Sequence, residues 1–271
     1  MASGKRLFTL ALLLAIGAFA YQKFTSVEGF SEAKISSSLP IHPQWTIPIP
    51  AESEKIKEIL GSSFKFLGEG AQAFAFESAD GKYVLKFFKM RRFSPSTADY
   101  LCPHVVRRRL KNLRWVFNGY KIAYDNFRQD TGLVFIHLAK TDYLKQKAII
   151  VDDKGTMHHI DLDKTEFVLQ EKAELLFDRL ARLHKAGDQQ GVQQSIAAVL
   201  ELVKRRIDQG YADRDKGVSN NFGFVGERAI QLDIGRLYKG VKEGQFEHVQ
   251  QRIQRWQQET TSNSTISSTS Q

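Results

Sequence analysis

The stretch Ala212–Leu237, ADRDKGVSNNFGFVGERAIQLDIGRL, constrains this chain more than any other. It places Asp215, then Asn220 five residues on, then Asp233-Ile234-Gly235 behind a second short apolar run. Asn220-Asn221 leads into Phe222–Val225, Gly226-Glu227-Arg228 supplies a tight turn, and Ala229–Leu232 ends on an acid. A β-hairpin is the local solution to that pattern. Its open ends bring an amide and a carboxylate close together, with Asp215 just before them. Oxygen-bearing side chains so arranged suit Mg²⁺, a hard ion that keeps waters and binds through few protein ligands plus phosphates. Asp215 is left to orient a hydroxyl.

A site of that kind needs an upstream half that grips phosphate, and the chain has a candidate for it. Phe66-Leu67-Gly68-Glu69-Gly70 ends an alternating run, and Asp80-Gly81 turns the chain into Tyr83-Val84-Leu85-Lys86. Glycines at 68 and 70 let backbone amides approach phosphate oxygens, since no side chain stands in the way. Leu85 and Phe87 bury one face of this strand, so Lys86 lies on the other.

Together these residues resemble the protein-kinase superfamily. Asp215 to Asn220 has the spacing of its catalytic loop, D-x-x-x-x-N, and Asp233-Ile234-Gly235 matches its metal-binding D-x-G. Gly68 and Gly70 resemble its glycine-rich loop, and Lys86 its strand lysine. The resemblance covers about residues 62–240 and implies an α+β, two-lobed fold: an antiparallel sheet N-lobe and a mainly helical, truncated C-lobe. It also implies ATP and Mg²⁺ as cofactors. Gly68, Gly70 and Lys86 would hold nucleotide, Asn220 and Asp233 the metal, and Asp215 and Lys86 would be catalytic. The implied function is transfer of a phosphoryl group from ATP to an unidentified hydroxyl acceptor, protein or small molecule. The alternative is an inactive kinase-like binding or scaffold protein.

Three departures bear on that choice. No glutamate occurs between Glu77 and Glu166, so the helix after Lys86 lacks the family's lysine partner; Asp99, Asp125 and Asp130 are the nearest carboxylates. Asp213 stands where the family most often has histidine, a position that supports the loop. Beyond Gly235 only 36 residues remain, too few for the activation segment and substrate-binding helices of a conventional signalling kinase.

The rest of the chain divides as follows. Residues 1–24 read as a signal peptide or N-terminal anchor: Lys5-Arg6 precede the uncharged run Leu7–Tyr21, with Ala18-Phe19-Ala20 as a cleavage site. The expected location is exported or membrane-associated. Residues 25–60 form an extended arm, spotted with Pro40, Pro43, Pro48 and Pro50, and a short helix ending at Gly61. Residues 61–163 are the expected N-lobe, 164–258 the C-lobe and 259–271 a disordered tail of serine, threonine and asparagine. Runs at 133–138, 148–151 and 156–162 read as strands, and adjacent His158 and His159 point to opposite faces of the last. A hinge is expected near 162–167. Asp163-Lys-Thr-Glu166 has capping-box spacing before Leu169, Ala173, Leu176, Leu180 and Leu183, which predicts one helix there and a second over 192–209.

Composition bounds the partners. Hydrophobic content of 42% excludes a disordered chain, and the single Cys102 excludes an internal disulfide and reads as a small buried hydrophobe. Residues 86–114 hold nine Lys or Arg against Asp99 alone, +8 in 29 residues. With Val106, Leu110, Leu113 and Phe117 inward, Arg107, Arg108, Arg109 and Lys111 lie largely outward. A solvated face is the plain reading; an anionic membrane surface or acidic partner is the functional one. Aromatic residues are too sparse there to favour nucleic acid.

Overall fold

Phenylalanine does most of the packing. The chain has 19, and Phe64, Phe74, Phe76, Phe87, Phe88, Phe117, Phe135 and Phe167 are all at most 1% exposed. The computed structural model describes residues 29–268 except 41, 49 and 51, with the side chains of 98 and 261–268 also left aside. Its contacts divide the chain between Ser31 and Glu32, and every helix and strand among the described residues belongs to the unit beginning at Glu32. The expected signal or anchor segment, 1–24, lies outside the described residues. Among those described, no helix is long and apolar enough to cross a membrane.

The arm behaves as its tryptophan requires. After the short helix α1 (Glu32–Ile35) the chain makes a 3₁₀ turn at Pro43–Trp45. Trp45 is buried edge-on to Phe117, 5.0 Å between centroids, and its Nε1 donates to Asn118 Oδ1 at 3.0 Å. Helix α2 (Ser53–Leu60) buries Ile56 and Leu60 and leads into β1 (Ser63–Glu69), β2 (Ala73–Ser78) and β3 (Tyr83–Phe88). A 24-residue helix, α3 (Pro103–Asn126), follows, then one turn, α4 (Arg128–Thr131). Strands β4 (Leu133–His137), β5 (Lys147–Val151), β6 (Met157–Asp161) and β7 (Phe167–Glu171) complete a seven-stranded sheet in the order β4-β7-β3-β2-β1-β5-β6.

Two expectations change here. The sheet is mixed rather than antiparallel, because β5 pairs with β1 in parallel. It also takes in 167–171, beyond the expected N-lobe boundary at 163, so the 162–167 segment is no hinge. The first half of the helix predicted from 163 is strand β7, held between β3 and β4. Phe167, Val168, Leu169 and Gln170 are all buried, which a strand covered on both faces achieves and a surface helix does not. Asp163 caps no α-helix; its carboxylate accepts from Thr141 Oγ1 at 2.6 Å and from the backbone N–H groups of Leu144 and Lys145 at 3.0 and 2.6 Å.

Sheet pairing sorts the side chains. Phe66 and Phe76, Phe76 and Phe87, and Phe87 and Phe167 meet edge to face at 5.6, 5.9 and 6.3 Å across four strands. Phe88, one residue further along β3, faces the other way against Phe117 and Tyr120 of α3 at 5.1 and 5.3 Å. Lys86 shares that second face. Cys102 is exposed, contrary to its reading as a buried hydrophobe, because it sits outside the packed part of α3.

The helical part starts with the short β8 (Glu174–Leu175), then α5 (Leu176–Lys185) and α6 (Gln189–Asp208). Asp188 caps α6 by accepting from Gly191 N at 2.8 Å. Strand β9 (Tyr211–Asp213), the hairpin β10 (Phe222–Val225) and β11 (Arg228–Gln231), and β12 (Leu237–Lys239) follow, with Asp215, Asn220 and Asp233 in the loops between them. The hairpin turns at Gly226, φ 59°, as its sequence predicts. Helix α7 (Gln245–Ser268) then packs Val249 and Ile253 into a core with Leu180, Val199, Val203 and Phe222. It runs to Ser268, into the segment whose composition predicts disorder. Extending an anchored helix costs far less than nucleating one, so poor helix formers continue it.

Behind the sheet, Glu166 is 2% exposed and ties down the arm. Ser37 Oγ donates to its Oε1 at 2.7 Å, Lys140 Nζ donates to Ser37 O at 2.6 Å, and Oε2 is buried with no hydrogen-bond partner among the described residues. Burial pushes the Glu166 carboxyl above the usual range, against the Ser37 hydrogen bond and the Lys140 charge. The native state therefore holds this proton more tightly than the unfolded chain. The associated stability is full below the ordinary glutamate range and is lost as pH rises through the elevated native value. Glu166→Gln should remove that slope, so that thermal melts of wild type and variant diverge as pH rises from about 4 to 7. Parallel curves would contradict it.

Candidate functional site

Lys86 is the centre of the site. Its stem runs from the middle of β3, and the half-buried side chain donates from Nζ to Gln170 Oε1 at 2.6 Å and to Leu232 O at 3.4 Å. Register explains the first contact: Val84 pairs with Gln170 and Lys86 with Val168, which puts Lys86 and Gln170 diagonally on one face. Gln170 is 0% exposed and its Nε2 donates to Thr131 O at 2.6 Å, which turns its oxygen toward the lysine. Burial lowers the Lys86 pKa, and the negative charge of Asp233 opposes that shift.

Gln170 is thus the side chain that accepts from Lys86 Nζ. None of the three nearby carboxylates serves: Asp99 pairs with Arg109, Asp125 with Lys121 and Asp130 with Arg205. The helix facing Lys86 contributes Tyr120 instead, whose hydroxyl is raised well above its ordinary range by burial and then by Asp233. Gln170 lies outside the span where the family's helix partner is sought, so only strand register could have revealed it.

Asp233 and Gly235 are set by close backbone approach. A Cβ on Gly119 of α3 would lie 2.6 Å from Ile234 O and 2.9 Å from Gly235 C, so the helix crosses the D-x-G segment with no room for a side chain. On the other side a Cβ at Gly235 would meet Gln72 Oε1 at 2.7 Å, so the tip of the β1–β2 loop rests there. Arg92 Nη1 holds that tip by donating to Ala71 O. Gly68 and Gly70 flank the loop. Neither has positive φ, and a Cβ would meet nothing within 4 Å at Gly68 and only Ala73 O at 3.9 Å at Gly70. The fold itself does not demand glycine at these two positions, which leaves the space above them open to a ligand.

Asp215 is reached through a buried polar knot. Asp213 accepts the N–H of Asp215 on Oδ1 at 2.7 Å and Gln231 Nε2 on Oδ2 at 2.6 Å. Gln231 Nε2 also lies 3.1 Å from Asp233 O. Arg206 donates to Gln231 Oε1 and to Gln245 Oε1, joining α6 and α7 to the loop. Burial pushes the Asp213 carboxyl above its ordinary range despite those donors. Asp213 therefore braces the loop that carries Asp215. Asp215 is half-buried, and its Oδ1 accepts from Gly217 N at 2.7 Å. Its Oδ2 carries no hydrogen bond among the described residues.

The two asparagines divide. Asn220 is exposed on the turn, whereas Asn221 is 7% exposed, and a Cβ on Gly217 would be 3.0 Å from its amide atoms. Leu232 N donates to Asn221 O at 2.8 Å, which sets the pair beside the residue preceding Asp233. Motif spacing singles out Asn220 and overlooks Asn221; burial separates them. A cavity of about 230 Å³ opens beside this loop, lined by Asp215, Asn221, Lys242, Gln245 and His248 among others. Among the described residues no group of three His, Cys, Asp or Glu side chains could hold a metal. His158 bonds Asp152 and Glu32, and His159 is exposed.

Two substitutions test this geometry. Gly119→Ala should gain up to about 1 kcal/mol from helix propensity if the position were ordinary. Its predicted outcome is the opposite, a loss of about 1–3 kcal/mol in urea unfolding, because Ile234 and Gly235 stand in the way. Gln170→Met keeps the volume but strips partners from Lys86 Nζ and Thr131 O, and should cost about 1–3 kcal/mol. Stability unchanged in both would show that neither contact constrains the fold.

No family model matches this chain, and no curated relative matches it in sequence. Among solved structures it is similar to a medium-resolution structure of the bifunctional kinase-methyltransferase WbdD at 15% identity and a TM-score of 0.32, over 63% of this chain and 31% of that one. A crystal structure of monomeric WbdD gives 14%, 0.33, 62% and 33%. A co-crystal of WbdD with the kinase inhibitor LY294002 gives 16%, 0.31, 64% and 32%. The chain spans about a third of the length of these proteins, and the similarity to their structures is weak.

Proposed function

We propose that the chain is a kinase-like phosphotransferase that moves a phosphoryl group from ATP to a hydroxyl acceptor. The observation that carries the reading is the meeting of three separate segments at one half-buried cation. Lys86 of β3 is held by Gln170 of β7 and by the carbonyl of Leu232, and it feels the charge of the adjacent Asp233. A scaffold has no physical need to bury an ammonium beside an acid at the mouth of a glycine hairpin, since burying charge is costly unless it is used or well paired.

The residues present fit the implied cofactors. The open space over Gly68 and Gly70 lets phosphate oxygens approach the backbone of the β1–β2 turn, where the Gly70 N–H itself donates to Ala73 O at 2.9 Å. Lys86 supplies the cation for them, and Asp233 with Asn220 supplies oxygen ligands for Mg²⁺, Asn221 being the more buried neighbour. When bound, the metal neutralises charge on the transferring phosphates. Asp215 presents its Oδ2 to an acceptor hydroxyl, orients it and accepts its proton. Asp213 keeps the loop in place through the Asp215 N–H, and the cavity by Lys242 and His248 is where an acceptor would lie. The acceptor itself, protein or small molecule, is not specified by these groups.

A second reading is an inactive kinase-like binding protein, exported or membrane-attached. It is favoured by the neutral partner of Lys86 and by the direct run from β12 into α7, which leaves no activation segment.

Calorimetric titration of ATP, with and without Mg²⁺, separates the two. The phosphotransferase reading expects metal-dependent binding, weakened at least about tenfold, or about 1.4 kcal/mol, by Lys86→Ala and by Asp233→Asn. Folded protein that takes up no nucleotide at millimolar concentration would leave the scaffold reading. Asp215→Asn should retain nucleotide binding and lose transfer.

A further inference from the structure

The basic stretch of α3 plays no part in the site, yet it is built as a surface. Arg107, Lys111 and Arg114 recur at spacings of four and three, with Arg108 beside them, and all four are exposed. They form one stripe on the side of α3 opposite Leu113, Val116, Phe117 and Tyr120. None of the four makes an ion pair with another described residue, whereas Arg109 is engaged with Asp99 and with Arg91 O. Between 86 and 126 the only acids are Asp99 and Asp125, and both are already paired. The stripe is therefore a local excess of positive charge with no internal counterion.

At the N-terminal end of this stripe the fold does something costly. The 3₁₀ turn Thr97–Leu101, capped by Ser96 and Asp99, ends on Tyr100 and Leu101, which are 67% and 85% exposed. A single exposed Leu means little, but two adjacent large apolar side chains at the head of an uncompensated cationic helix face are a combination. Phosphate-rich nucleic acid uses the charge and has no use for the leucine. A lipid bilayer with anionic headgroups uses both, charge at the headgroups and apolar side chains in the acyl boundary. Trp115, 37% exposed at the far end of the stripe with Lys111 Nζ 4.8 Å from its ring centre, is the kind of side chain that settles at headgroup level.

We infer that α3 docks on an anionic lipid surface, with Tyr100 and Leu101 entering the interface and Arg107, Arg108, Lys111 and Arg114 lying along the headgroups. The uncharged run Leu7–Tyr21 is consistent with a membrane-proximal protein. Docking of this face is independent of nucleotide chemistry and stands whether or not the site is catalytic. It would hold the body of the protein in a fixed orientation, with one helix making both the membrane contact and the Gly119 contact with Ile234 and Gly235.

The single cysteine, Cys102, is exposed and adjacent to Leu101, so the full chain can be labelled there with an environment-sensitive fluorophore and mixed with vesicles. With phosphatidylcholine containing about 30% phosphatidylglycerol, the expected result is a blue shift and brightening that is reversed in about 0.5 M salt. The combined variant Arg107→Glu, Arg108→Glu, Lys111→Glu should need at least about tenfold more lipid for the same change, since each cation near such a surface contributes appreciably. Unlabelled Leu101→Ser should co-sediment with anionic vesicles less than wild type, which guards against an effect of the label. The proposal is overturned if the chain co-sediments with vesicles while the Cys102 probe stays unchanged, because the membrane contact then lies elsewhere in the chain. It is equally overturned if the probe responds to duplex DNA and not to vesicles.

Discussion

A lysine ammonium half-buried beside the sheet is the constraint around which the site is arranged. Removing a full charge from water is expensive unless hydrogen bonds and a nearby opposite charge make up for it. Here the compensation comes from three directions. Gln170 accepts from it, Leu232 lends a backbone carbonyl, and Asp233 supplies the field. Gln170 is in turn fixed by Thr131 O, which ties the lysine to the end of α4. β7 lies beside β3 in the sheet, and its register places Gln170 diagonally from Lys86 on the same face.

The second organising contact is steric. Gly119 lets α3 touch the backbone of Ile234 and Gly235, and Gly235 lets the β1–β2 loop touch the same place from the other side. Two missing side chains thereby define how closely helix, loop and D-x-G segment approach. The polar knot of Arg206, Asp213, Gln231 and Gln245 does the corresponding work for the loop that carries Asp215. It takes α7 as a structural member, so this helix is coupled to the loop rather than merely appended.

Local chemistry made much of this legible from the amino-acid order. The β10–β11 hairpin is encoded in the Gly226 turn, the face of Lys86 in the alternation of Leu85 and Phe87, and the arm's attachment in Trp45. What the sequence concealed was non-local. Leu169 and Leu176 fit a helical repeat, but burial on both sides makes 167–171 a strand, and periodicity cannot distinguish these cases in a short apolar run. The parallel junction of β5 with β1 leaves no local signature. Gln170 was invisible because its role depends on register across two strands, and Asn221 because motif spacing points one residue earlier. Cys102 was misread because residue type reports average burial and this position is outside the average.

The neutral partner of Lys86 has a consequence for proton balance. A lysine paired with a glutamate is electrically quiet, and an arriving anion changes little. A lysine paired with an amide keeps its whole charge in a place where burial has lowered its affinity for the proton. Any anion that settles against it strengthens that affinity again, so occupancy and protonation become a single equilibrium.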